Sequence, residues 1–183
     1  KQTAGEEVVA AIEKMGSKAA LVKADVSKAV DAEALVQKGI DEFGGLDILV
    51  NNAGLSRPAM LLKMSEEQWD EVVDIHLKGA FLCTQFAARY MTEQNKGKII
   101  NVTSVAGLVG TVGQINYSAA KGGLLSFTKS AARELARYEI CVNVICLGIV
   151  ATDMTEKIRT DEKLKEIYMN RISFVSCPYI FPI

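Results

Sequence analysis

The chain is 183 residues long, 49% apolar and 23% charged, with 21 Lys plus Arg against 22 Asp plus Glu. Such a composition fits one soluble globular domain with a real core, and the net charge of -1 leaves no basic surplus for nucleic acid. No apolar run approaches the roughly 20 residues needed to span a bilayer, so no membrane contact is expected.

The predicted elements alternate between helix and strand. Residues 4–15 place Val8, Val9, Ile12 and Met15 on one helical face, closed by Gly16. Residues 19–24 then read as a short strand ending at Asp25. Ser27 is expected to cap a second helix over about 29–43, stopped by Gly44-Gly45. The nearly continuous apolar run at 46–51 has the signature of a strand covered on both faces. A long helical segment runs from about Ser65 to Met91, with Ser65, Glu66 and Glu67 making a favourable first turn. Residues 98–103 form a second buried strand, 115–137 a further helix, and 140–146 a third buried strand. This order predicts the α/β class, a doubly wound parallel sheet covered by helices.

The four cysteines, Cys83, Cys141, Cys146 and Cys177, form no C-x-x-C pair, and one histidine accompanies them. Neither a disulfide framework nor a metal site is expected, and reduced thiols fit a cytoplasmic compartment. The chain opens with Lys1-Gln2-Thr3, helix-like and without an initiating Met, so this opening is not expected to be a signal peptide and the true start is expected to lie upstream.

Ligands of doubly wound sheets sit beyond the carboxyl ends of the strands. The residues at those positions are Asp25-Val26, Asn51-Asn52-Ala53-Gly54, Ser104-Val105-Ala106-Gly107 and Leu147-Gly148-Ile149-Val150. Small and polar residues are common in any strand-to-helix turn, so this pattern is generic. Tyr117 and Lys121 are more informative. They stand four apart on a predicted helix and share a face. A free phenol has a pKa of roughly 10, too high for acid–base work near neutrality. An ammonium within about 4–6 Å stabilises the phenolate and lowers that pKa, so that the phenol can donate to a developing alkoxide. Ser104, thirteen residues earlier, can donate a hydrogen bond to the same oxygen. Alone, Y-x-x-x-K is common on amphipathic helices; its surroundings give it weight.

Asn51-Asn52-Ala53-Gly54, a Ser thirteen residues before Tyr117-Ser118-Ala119-Ala120-Lys121, and a strand ending Asn143-Val144-Ile145-Cys146-Leu147-Gly148 occur in order. At this spacing they resemble the classical short-chain dehydrogenase/reductase family, from the first helix to about Asn170. The stretches 46–54, 81–85, 97–123 and 151–155 are most similar to 3-oxoacyl-[acyl-carrier-protein] reductases of fatty-acid synthesis. Related sugar, polyol and hydroxyacyl-CoA dehydrogenases share much of the same pattern. The resemblance implies a Rossmann-type domain over 1–170, followed by an atypical tail at 171–183. It implies hydride transfer between a nicotinamide dinucleotide and a carbonyl carbon, with NADP (as NADPH) the expected cofactor and NAD left open. Tyr117 is then the acid/base, Lys121 lowers its pKa and binds ribose hydroxyls, and Ser104 polarises the carbonyl. Asp25 and Val26 meet the adenine, Asn52, Ala53 and Gly54 pass beside the cofactor, and Val150 and Thr152 hold the carboxamide. No metal is implied. The expected partners are a small-molecule or acyl-carrier-protein-bound acyl substrate and further copies of the chain, as a homotetramer built through the helices at about 66–92 and 115–137.

Four departures from the family pattern follow. The glycine-rich loop after the family's first strand is absent, together with that strand and the second; Gly107, Gly110 and Gly113 have the wrong spacing and read as loop glycines. The family's Asn in the long helix is His76, which either keeps a polar link or is a tolerated helix residue. The usual Pro-Gly after the last strand is Leu147-Gly148, and the end after about Arg171 leaves the pattern. Without the first, second and seventh family strands, the strands at 46–51, 98–103 and 140–146 are expected to pair in parallel. Residues 19–24 should then be unpaired or lie against the 46–51 edge. Poor solubility and no measurable NADPH binding are expected of such a chain. A reductase of 3-oxoacyl thioesters and an inactive remnant of one therefore both remain open. A doubly wound methyltransferase is disfavoured, because methyl transfer needs no phenol–ammonium pair.

Overall fold

The computed structural model describes residues 2–148, 150 and 160–162. Helix α1 (Gln2–Lys14) and helix α2 (Ala29–Phe43) precede strand β1 (Ile48–Asn51). Helix α3 (Glu66–Val73), a π turn (Asp74–Lys78) and helix α4 (Gly79–Glu93) lead to strand β2 (Gly97–Ser104). The short helix α5 (Ala106–Val109), the long helix α6 (Ile115–Leu135) and strand β3 (Ile140–Leu147) follow. The strands form one parallel sheet in the order β1-β2-β3, with Ile48 opposite Lys98 and Gly97 opposite Ile140. This is the parallel α/β architecture expected from the alternation, with the three expected strands paired.

The register assigns each side chain a face. Ile99 and Val142 are buried and join Val36, Ala87, Met91 and Ile140 in the main core, so α2 and α4 pack on that side of the sheet. Side chains of the opposite parity are open: Ile48 and Val50 are each more than half exposed, and Ile145 and Leu147 are exposed as well. The expectation that 46–51 is covered on both faces therefore fails, since helices cover β1 on one face only among the described residues.

Three local expectations are also corrected. Residues 19–24 form no strand, the first of the two outcomes expected where no neighbouring strand supplies hydrogen bonds. Ser27 does not cap α2; its hydroxyl and its N–H both donate to Asp25 Oδ1, at 2.7 and 3.0 Å, and Lys28 occupies the cap position. On α1, Val9 and Ile12 are half-buried while Val8 and Met15 are exposed.

The helix expected from Ser65 begins as predicted. Ser65 Oγ accepts from the Gln68 N–H and Gln68 Oε1 accepts from the Ser65 N–H, a reciprocal cap. It is then interrupted by the π turn, which periodicity alone does not reveal.

A buried polar chain ties the strand ends to the helices. Asn51 Nδ2 donates to Thr84 Oγ1 at 3.0 Å and to Asn101 Oδ1 at 2.8 Å. Asn101 Nδ2 donates to Thr128 Oγ1 at 2.9 Å, and Thr128 Oγ1 donates to the Leu124 carbonyl at 2.7 Å. Buried polar groups are tolerated when each is satisfied. This chain of bonds locks α4 and α6 against the carboxyl ends of β1 and β2.

Candidate active site

Helix α6 carries Tyr117 and Lys121 on one face, and its start is held by the side chain of Asn116. That residue is fully buried; its Nδ2 donates to the carbonyls of Arg57 and Gln68 at 3.0 and 2.9 Å. Its Oδ1 accepts the Tyr117 N–H at 2.8 Å. At the other end of this turn, Thr103 Oγ1 donates to the Lys121 carbonyl at 2.7 Å. Gly107 allows α5 to approach α6: a Cβ there would come within 2.6 Å of the Lys121 carbonyl carbon. Gly107 is thus a close-packing glycine, whereas Gly110 and Gly113 are turn glycines with φ of 74° and 77°.

The Ser104 hydroxyl, at the end of β2, lies near enough to the Tyr117 phenol to draw its pKa down. It also accepts the Ala106 N–H at 3.2 Å, which orients it. Lys121 is buried, with Nζ donating to the Val102 carbonyl at 2.6 Å and lying 5.6 Å from the centroid of the Tyr117 ring. The expected trio therefore assembles at the carboxyl ends of the strands.

The electrostatics differ from the expectation. Burial pushes the Tyr117 phenol above its ordinary value, and the Ser104 hydrogen bond opposes that rise. Lys121 is directed at the Val102 carbonyl, and the lowering of the phenol comes from Ser104. Burial depresses Lys121 itself to about 8.

His76, in the π turn, is the site residue whose place the sequence left undecided. It is buried, and its ring meets Tyr117 edge-on with centroids 5.1 Å apart. Nε2 lies 2.7 Å from the Leu55 carbonyl oxygen and 3.1 Å from the Leu55 nitrogen, so the polar link is kept. Burial lowers its pKa to about 4, and the imidazole is neutral at neutral pH.

A cavity of about 100 Å³ opens beside these groups, lined by Val26, Asn52, Ala53, His76, Cys83 and Lys121 among others. Val26 reaches it by packing on Gly79, where a Cβ would lie 2.7 Å from Val26 Cγ2. Asn52 and Ala53 are exposed along its rim, and Gly54, also exposed, is not part of its wall. Asp25 is exposed, and the Ser27 hydrogen bonds hold its carboxyl below the ordinary value. Val150 is half exposed and not part of the cavity wall, and Thr152 lies outside the described residues. No cluster of metal-ligating side chains occurs among the described residues, and no described helix is long and apolar enough to cross a membrane. Asn116, Thr103 and the chain from Asn51 to Thr128 were not legible as site supports, because isolated polar residues inside apolar patterns carry no spacing signal.

Residues 1–163 match the family model of the short chain dehydrogenases. Over 169 residues the chain is 45% identical to a 3-oxoacyl-[acyl-carrier-protein] reductase of Synechocystis sp., covering 92% of this chain and 68% of that protein. It is 43% identical over 167 residues to the 3-oxoacyl-[acyl-carrier-protein] reductase FabG of Staphylococcus aureus, covering 91% and 67%. A crystal structure of a putative short-chain alcohol dehydrogenase from Sinorhizobium meliloti superposes with a TM-score of 0.84 at 38% identity, covering 88% of this chain and 64% of that one. The chain belongs to the short-chain dehydrogenase family and is an oxidoreductase by descent. It spans about two thirds of the length of these relatives.

Proposed function

We propose that the protein carrying this chain reduces a carbonyl to an alcohol, with a 3-oxoacyl group on acyl carrier protein as substrate and NADPH as reductant. The observation that carries the reading is the trio at the strand ends, half-buried Ser104 and Tyr117 with buried Lys121. The names of the Synechocystis and Staphylococcus relatives support the substrate class. A nicotinamide dinucleotide supplies the hydride when bound. Its fit is supported by the cavity, where Lys121 offers a buried ammonium with one identified acceptor, suited to ribose hydroxyls. Asn52 and Ala53 then flank the cofactor, Asp25 and Val26 meet the adenine, and Val150 and Thr152 hold the carboxamide.

Each residue's part follows from its surroundings. Ser104 donates to the carbonyl oxygen and polarises it. A phenol raised by burial starts protonated, which is the form a reductase needs, and it gives its proton to the developing alkoxide. The Lys121 ammonium, largely protonated at neutral pH and held at the cavity wall by the Val102 carbonyl, binds the ribose hydroxyls. The protein works as a homo-oligomer built through the helices at about 66–92 and 115–137. The test is loss of NADPH absorbance with a 3-oxoacyl thioester and the full-length protein. Turnover supports the reading; turnover of simple alcohols with NAD and none of the thioester contradicts it.

A further inference from the structure

We propose that His76 is a positioning residue of this site, a ring that locks the Asn52–Leu55 turn to Tyr117 by filling the space Gly54 leaves open. Its functional consequence rests on the reading of Tyr117 as proton donor; its geometry does not.

Several contacts converge on this one side chain. The π turn over Asp74–Lys78 breaks the α-helical stacking at His76, and π turns often mark functional positions. The imidazole lies against the backbone of Gly54: a Cβ there would sit on His76 Cε1 and 2.9 Å from Nδ1. Gly54 is not among the glycines with positive φ. Its backbone would accept alanine, and the atoms nearest to a Cβ there all belong to this ring. Nε2 then reaches the Leu55 backbone, and the ring edge meets the Tyr117 ring.

The tautomer follows from the hydrogen bonds. Nε2 faces both the N–H and the carbonyl of Leu55, and a single tautomer serves only one of them. Nδ1 is buried without a partner. With Nε2 protonated, Nδ1 is a bare acceptor; with Nδ1 protonated, an N–H donor is buried unpaired, which proteins rarely tolerate. The Nε2–H form, donating to the Leu55 carbonyl at 2.7 Å, is therefore the native one. Seated this way, the ring limits how far Tyr117 can turn, with Lys121 Nζ 5.6 Å from the phenol centroid.

The chain has one histidine, so imidazole signals in a nitrogen-15 spectrum come from His76 alone. The Nε2–H pattern is expected, and an Nδ1–H pattern overturns the proposal. A double-mutant cycle on urea unfolding tests the fit. Gly54→Ala should lower the midpoint when His76 is present and lose most of that effect in a His76→Ala background. Equal losses in both backgrounds overturn the proposal. In the full-length protein, His76→Gln places an amide nitrogen where Nε2 sits and should keep kcat within a few-fold. His76→Phe keeps the ring and loses the bond; kcat should fall roughly 10- to 100-fold with KM little changed. An unchanged kcat in His76→Phe overturns the positioning role. Failure of the proton-donor reading shows separately, as full turnover in Tyr117→Phe.

Discussion

Lys121 Nζ donates to the carbonyl of Val102 at 2.6 Å, so the ammonium of α6 is bound to the backbone of the central strand. The bond holds the charge at the cavity wall, and burial lowers its pKa from 10.5 to about 8.

That depression is a stability cost with a definite window. Below pH 8 the folded chain carries a buried ammonium; between about 8 and 10.5 it releases a proton that the unfolded chain retains. Stability should rise with pH across that window, by about 3 kcal/mol at most. Lys121→Met should remove the rise and match or exceed the parent's stability at pH 7, as followed by urea unfolding at several pH values. A parent with no rise between pH 8 and 10.5 contradicts the burial argument.

His76 sets an acid window of the same sign at lower pH. Its folded pKa of about 4 lies below the ordinary 6.5, so the unfolded chain binds a proton first as pH falls. Stability is full above pH 6.5 and should be lost between 6.5 and 4, by about 3 kcal/mol. Unfolding curves for His76→Gln should lack this loss. The exposed Asp25 and Glu67, held low by hydrogen bonds, lose their contribution from ordinary values of 3.8 and 4.5 downward, at the foot of this range and below it.

Asn101 is fully buried between Asn51 and Thr128. Asn101→Ala leaves the Thr128 hydroxyl without its donor and takes one acceptor from Asn51, at an expected cost of about 1–3 kcal/mol. Asn101→Asp keeps the shape but buries a charge and should cost at least as much. Denaturant midpoints measure both. A neutral Asn101→Ala would show that the polar chain does not hold α6 in place.

Much of this was legible in the sequence. Strands β1, β2 and β3 stood out as short, nearly continuous apolar runs, although β1 is covered on one face only among the described residues, and helix ends were marked by Gly44 and Ser65. Tyr117, Lys121 and Ser104 were found because helical spacing and one short loop bring them together. Three features were not legible. Residues 19–24 have strand composition, yet pairing needs a neighbour that composition does not supply. The π turn at His76 adds a residue to a helix whose apolar period looks continuous. The rise of the Tyr117 phenol comes from burial and is opposed by Ser104, and both are tertiary facts.

The most direct test is Tyr117→Phe in the full-length protein, assayed for NADPH-dependent reduction of a 3-oxoacyl thioester. The ring and its contact with His76 remain, while the transferable proton is lost. Turnover should fall by roughly 10²–10⁴-fold with NADPH affinity retained. Near-normal turnover in Tyr117→Phe would contradict the assignment of this phenol as the proton donor.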